Sequence, residues 1–102
     1  MDKIISEKIS TLKTKYESKG LIILGVFGSF ARGEETPNSD IDILYTCTEK
    51  TYQEYPGWDF YVFLEDVKKD FESELGRKVD FAEREALSNI GKKFILPEVF
   101  YV

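Results

Sequence analysis

The sequence predicts an α/β fold, α+β in detail, with helices packed on a small mixed β-sheet. Three observations carry this. Ile5, Ile9, Leu12 and Tyr16 recur at spacings of four, three and four, one face of a helix. Two short apolar runs, 21–27 and 41–46, are bounded by glycine or polar turn residues and read as strands. A second amphipathic stretch separates them from a third strand over 77–82. The resulting order, helix–strand–helix–strand–helix–strand–helix, is that of a sheet covered by helices.

Each element has a local reason. Asp2 caps the first helix, 2–19, and Gly20 stops it. This helix packs the core and is assigned no chemistry. Residues 21–27 are continuously apolar, the pattern of a strand buried on both faces. Gly28-Ser29-Phe30-Ala31-Arg32-Gly33 follows as a tight strand-to-helix turn, and 34–39 is a polar exposed loop. Residues 47–57 read as a loop or irregular crossing punctuated by Pro56-Gly57. Asp59 caps the next helix, with Phe60, Leu64, Val67, Phe71 and Leu75 as its apolar stripe and Gly76 as its stop. A weaker helix over 83–94 is interrupted by Gly91, and 98–102 adds a short strand or docks on a partner.

The 102 residues suffice for one domain, 1–102. The longest apolar run, 21–30, is broken by Gly25, Gly28 and Ser29 and falls short of the ~20 residues of a membrane span. No apolar stretch follows a basic one at the start, so a cytoplasmic location is expected, without membrane contact. A net charge of −5 argues against direct nucleic-acid binding but leaves room for a nucleotide brought in with a metal ion. Without histidine, and with Cys47 alone, the chain has no internal disulfide, no ligand set for zinc and no His-dependent nucleophile. Its chemistry must come from carboxylates, hydroxyls, Lys, Arg and backbone groups.

Asp40-Ile41-Asp42 is the first candidate. Residues two apart in a strand share a face, so both carboxylates project together while Ile41 and Ile43 face the core. At ~4 Å and an effective dielectric near ~20, their repulsion costs on the order of 4 kcal/mol. A divalent cation reverses that sign, and carboxylate oxygens suit Mg²⁺. Gly28-Ser29, directly after a buried strand, presents backbone N–H groups and a hydroxyl to an anion. Asp80, between Val79 and Phe81, points away from the core; beside Asp40 and Asp42 it completes a cage able to hold two metal ions. Taken singly, each feature has an ordinary reading: a solvated acidic strand face, a simple turn, a solvent-facing strand residue.

Together, Gly28-Ser29-Phe30-Ala31-Arg32-Gly33, Ser39-Asp40-Ile41-Asp42-Ile43 and Val79-Asp80-Phe81 resemble the DNA polymerase beta–like nucleotidyltransferase superfamily, and most nearly its minimal nucleotidyltransferase (MNT) domains. The likeness spans about residues 20 to 85. It implies that Gly28 and Ser29 bind the triphosphate of ATP, with Arg32 near the phosphates or else paired to Glu34 or Glu35. It implies that Asp40, Asp42 and Asp80 hold Mg²⁺, two ions in all, and that Asp80 helps deprotonate the acceptor. Asn38 and Ser39 cap the turn before the second strand or else contact the nucleotide, the cap being preferred. MNT domains pair with HEPN-family toxins as antitoxins, and some transfer AMP to a toxin tyrosine; a hetero-oligomer is therefore expected. Neutralisation by binding alone, and transfer to a small molecule such as an aminoglycoside, stay open as alternatives. Tyr52, Tyr55, Trp58, Phe100 and Tyr101 supply either a partner interface or ordinary packing.

Overall fold

A computed structural model describes all 102 residues. Helix α1 (Lys3–Glu17) is capped as its sequence dictates: the Asp2 carboxylate accepts the Ile5 N–H at 3.0 Å. Ile9, Leu12 and Tyr16 bury its inner face. Strand β1 (Leu21–Phe27) leads through a one-turn helix, α2 (Ser29–Arg32), and a loop to β2 (Ile41–Cys47). Helices α3 (Glu49–Glu54) and α4 (Trp58–Leu75) follow, then β3 (Val79–Glu83), α5 (Asn89–Ile95) and β4 (Phe100–Tyr101). Two 3₁₀ turns, Arg84–Ala86 and Leu96–Glu98, flank α5.

The sheet is mixed, with strand order β3-β2-β1-β4. β1 pairs antiparallel with β2 and β4, whereas β2 pairs parallel with β3. A parallel pair needs a crossover, and α4 supplies it. α1 and α4 touch each other and cover one sheet face. That face holds the core: Leu21, Ile23, Val26, Ile41, Ile43, Tyr45 and Val79 from the strands, meeting Ile9, Leu12, Tyr16, Phe63, Val67, Phe71 and Leu75 from the helices. No helix is long and apolar enough to cross a membrane.

Several local expectations are corrected. β1 is not buried on both faces; Ile22, Leu24 and Phe27 are half-covered. An irregularity between Ile23 and Gly25 shifts its register, so Val26 replaces Gly25 on the core face. Residues 47–57 are not merely a loop, because α3 forms there. Its Thr51 is fully buried and donates its hydroxyl to the Lys19 carbonyl at 2.7 Å, a tertiary contact without local periodicity. α4 is capped by Gly57, at φ 57°, with Asp59 in its first turn; its buried stripe takes in Phe63, while Phe60 and Leu64 are only partly covered. The helix expected over 83–94 begins only at Asn89. There the Ser88 hydroxyl accepts the Gly91 N–H at 3.0 Å, so Gly91 lies inside the first turn and does not interrupt the helix.

Tyr16 ties α1 to α4. Its ring stacks on Phe71 at 6.0 Å and its hydroxyl donates to Asp70 at 2.5 Å, beside a Lys15–Asp70 ion pair at 2.6 Å. The lysine and the hydroxyl hold the Asp70 carboxyl below its ordinary value of 3.8.

Phe71→Ala should cost ~3–5 kcal/mol in urea denaturation, whereas Trp58→Ala, at a residue 76% exposed, should stay within ~0.5 kcal/mol. Asp70 stabilises the fold above its unfolded value, and that contribution is lost as pH falls through its lower folded value. Asp70→Asn should therefore lower the melting temperature at neutral pH and cease to differ from wild type in strong acid.

Candidate active site

The sheet face opposite the helices carries the chemistry. Asp42 and Asp80 are register partners in β2 and β3, so their side chains leave the same face of adjacent strands, roughly 4.8 Å apart. Ile41 pairs with Val79 and Ile43 with Phe81, which locks this phase through apolar neighbours on the core side. Asp40 immediately precedes β2 with the parity of Asp42. Asp40 and Asp80 are exposed, and Asp42 is half-buried. Burial, then the Asp80 and Asp40 charges, push the Asp42 carboxyl above its ordinary 3.8; Arg32 opposes this and Glu98 adds to it.

The side chains share a face without being drawn to one point: no three acid, cysteine or histidine side chains stand close enough together to hold a metal ion. The donor set, hard carboxylate oxygens with no histidine or sulfur among them, fits Mg²⁺. Cys47 is unsuited to reaction, since burial pushes its thiol up to about 11.

Gly28 follows β1 at φ 75°, ψ −153°, and a Cβ added there would overlap Asp42 Oδ2. Only glycine combines that backbone with so close an approach to the carboxylate. Phe27, one residue earlier, is the register partner of Asp42. Ser29 opens α2, Phe30 anchors it in the core, and Gly33 closes it at φ 72°. The turn and Asp42 are thus in close contact.

Arg32 is paired in the way its neighbours allow, though with only one of the expected partners. Its Nε donates to Glu34 at 3.2 Å, and its Nη1 donates to Glu98 rather than Glu35, at 3.1 Å. The Ser39 hydroxyl accepts the Thr36 N–H at 2.8 Å and so stitches the turn before β2; Asn38 joins through its backbone N–H, to Thr36 Oγ1 at 3.4 Å.

Two residues escaped the sequence reading. Arg77 Nη1 is shared among the carbonyls of Thr36, Pro37 and Ser39 at 3.1–3.2 Å, and its guanidinium lies 4.8 Å from the Phe30 ring centroid. It therefore clamps the loop leading to Asp40 onto α2. Glu98 accepts the Gly28 N–H at 3.1 Å. Both contacts join residues at least 38 positions apart, so no local motif announces them. A cleft of about 380 Å³, lined by 37–40 and 76–78, has Asp40 in its wall but neither Asp42 nor Asp80. The largest cleft, about 480 Å³, lies among α1, α3 and α4 on the other side of the sheet, away from this chemistry. Among the five candidate interface aromatics, Trp58 and Tyr101 are widely exposed, Tyr52 and Phe100 less so, and Tyr55 stacks on Phe63 at 4.2 Å.

Opposite stability effects should separate the two halves of the contact. Gly28→Ala should destabilise by at least ~1 kcal/mol, from its positive φ and the overlap with Asp42. Asp42→Asn, measured without divalent cations at neutral pH, should melt no lower than wild type, because it removes a charge that its neighbours repel.

Comparison with known proteins places this geometry. The nucleotidyltransferase domain family matches residues 5–99. Protein adenylyltransferase MntA of Thermococcus cleftensis is 33% identical over 101 residues, covering 94% of each chain. MJ1379 of Methanocaldococcus jannaschii, provisionally named a protein adenylyltransferase, is 36% identical over 100 residues, covering 97% of this chain and 91% of its own. A solved structure provisionally described as a minimal nucleotidyltransferase superposes with a TM-score of 0.78 at 24% identity, over 100% of this chain and 97% of the other. A toxin–antitoxin crystal structure with AMP-PNP gives 0.59 at 22% identity, over 82% of this chain and 60% of that one. The mixed sheet, the glycine–serine turn set against strand carboxylates and this family match together establish that the chain belongs to the nucleotidyltransferase domain family and is an enzyme of that class.

Proposed function

We propose that this enzyme is a Mg²⁺-dependent protein adenylyltransferase acting as an antitoxin, which moves AMP from ATP to a tyrosine of a HEPN-family toxin. The observation that carries the reading is the in-register pair Asp42–Asp80 beside Gly28. Relatives that align over nearly the whole chain and bear the name protein adenylyltransferase support the reaction class. The fold shared with a chain of a toxin–antitoxin structure containing AMP-PNP supports the nucleotide and the kind of partner.

In this reading Ser29 binds the triphosphate through its hydroxyl and backbone N–H, Gly28 lets it come close to Asp42 for want of a side chain, and Arg32 stands at the phosphates. Asp40, Asp42 and Asp80 would close in to hold Mg²⁺, up to two ions, and the bound cations would offset the negative charge shared by carboxylates and triphosphate. Asp80, exposed at the sheet face, accepts the proton of the acceptor hydroxyl. The hydroxyl oxygen bonds to the α-phosphorus, the bond to the bridging oxygen breaks, and pyrophosphate leaves with that electron pair. The proton passes from Asp80 to solvent. The chain works as one minimal domain in the cytoplasm, and its acceptor brings its own binding surface in a hetero-oligomer.

ATP with Mg²⁺ should raise the melting temperature more than either alone, through binding linkage; no shift under any of these conditions would count against a nucleotide site. Incubated with ATP, Mg²⁺ and the toxin, wild type should add the mass of one AMP to the toxin, and Asp42→Asn should add none. A stable complex whose toxin gains no mass would instead establish neutralisation by binding alone.

A further inference from the structure

We infer that Glu98 is a positioning residue for the nucleotide: it holds Gly28 in place and aims Arg32 at the triphosphate. The inference rests on the nucleotide reading above and adds to it a residue from the far end of the chain.

Glu98 ends the 3₁₀ turn Leu96–Glu98, one residue short of β4, and its side chain is only 27% exposed. β4 is seated on β1 with little slack. Its Phe100 pairs with Val26 and its Tyr101 with Gly25, and a Cβ at Gly25 would overlap the Phe100 carbonyl oxygen. The Val102 N–H adds a bond to the Leu24 carbonyl at 3.1 Å, and Lys13 Nζ donates to the Val102 carbonyl at 2.8 Å. Glu98 is thus delivered to the turn by strand pairing.

Its two oxygens are both used. Oε1 accepts the Gly28 N–H at 3.1 Å and Arg32 Nη1 at 3.3 Å, and Oε2 accepts Arg32 Nη1 at 3.1 Å. Glu34 takes Arg32 Nε at 3.2 Å. Glu34 therefore holds the guanidinium at Nε and Glu98 at Nη1, on opposite sides of it, while Nη2 is left to an incoming anion. An arginine ordered beforehand loses less freedom when it binds.

The alternative, that Glu98 occupies the place of a phosphate and must leave, fits the directions of contact less well. The side-chain position of Gly28 points at Asp42, on the sheet face, whereas its N–H points along the sheet to Glu98 beside β4. The metal-binding carboxylates and Glu98 therefore approach Gly28 from different sides. Charge alone would also give the opposite outcome: Glu98 adds a negative charge near Asp42, so its removal should favour an anionic ligand unless its role is to place other groups.

The test is binding of α,β-methylene-ATP, whose α–β bridge resists transfer, by titration calorimetry with Mg²⁺. Wild type, Glu98→Gln, Glu98→Ala, Arg32→Ala and Glu98→Gln/Arg32→Ala are compared. Loss of a hydrogen bond of this kind corresponds to weakening of about tenfold, expected for Glu98→Ala. Glu98→Gln keeps an acceptor for Gly28 without the ion pair and should fall between; being near-isosteric, it keeps the test valid if the alanine variant does not fold. In the Arg32→Ala background the Glu98→Gln effect should shrink, a coupling that a purely structural role would not produce. Equal or tighter binding by Glu98→Gln, or fully additive effects, overturns the inference while the nucleotide reading stands. Failure of wild type to bind overturns both.

Discussion

Asp42 faces Asp80 because β2 and β3 run parallel, and everything on this sheet face depends on that pairing. A slip of one residue would turn Asp80 into the core and Val79 out to solvent. The core forbids it: Val79 is fully buried, and Phe81 packs edge-on against both Tyr45 at 5.7 Å and Phe71 at 5.2 Å. The Val79 N–H also donates to Glu72 at 2.9 Å, which ties the start of β3 to the end of the helix that delivers it. Apolar packing on one face thus sets the chemical phase of the other. The acidic pair is not what sets this register: burial first, and then the Asp80 and Asp40 charges, raise the Asp42 carboxyl.

Asp80, Asp40 and Glu98 each add to the rise of the Asp42 carboxyl that its burial begins. Arg32 is the cation that lowers the Asp42 value, and it is held between Glu34 and Glu98. Arg77, the other nearby guanidinium, is committed to three backbone carbonyls and the Phe30 ring, so it serves to shape the loop. The two arginines divide the work: one stands at the turn, the other fixes the path by which the chain reaches Asp40.

Much of this was legible in the residue order. The parity of Asp40 and Asp42, the inverse parity of Val79 and Phe81 about Asp80, and the glycine at a turn all follow from local rules, because a strand's two faces are written in alternate residues. What escaped is tertiary in origin. α3 has a single buried residue, Thr51, held beneath Gly20, so it shows no helical period. The irregularity near Leu24 inverts the phase of β1 within an unbroken apolar run, where one hydrophobe looks like the next. Gly91 looked like an interruption, yet Ser88 caps the turn that contains it. Glu98 lies 70 residues from its partner Gly28, inside a tail whose fate depends on which strand edge remains open.

That open edge is the far side of β1. With β2 on one side of β1, only the other can accept the tail, and Gly25 lets the Phe100 carbonyl approach. The last strand therefore does more than close a sheet edge. It couples the end of the chain to the turn that carries Gly28 and Arg32, across bonds too short to slip without moving that turn. The sheet is thus divided in its duties: α1 and α4 pack one face, and the edge strand ties the turn beside the other face to the last residues through Glu98.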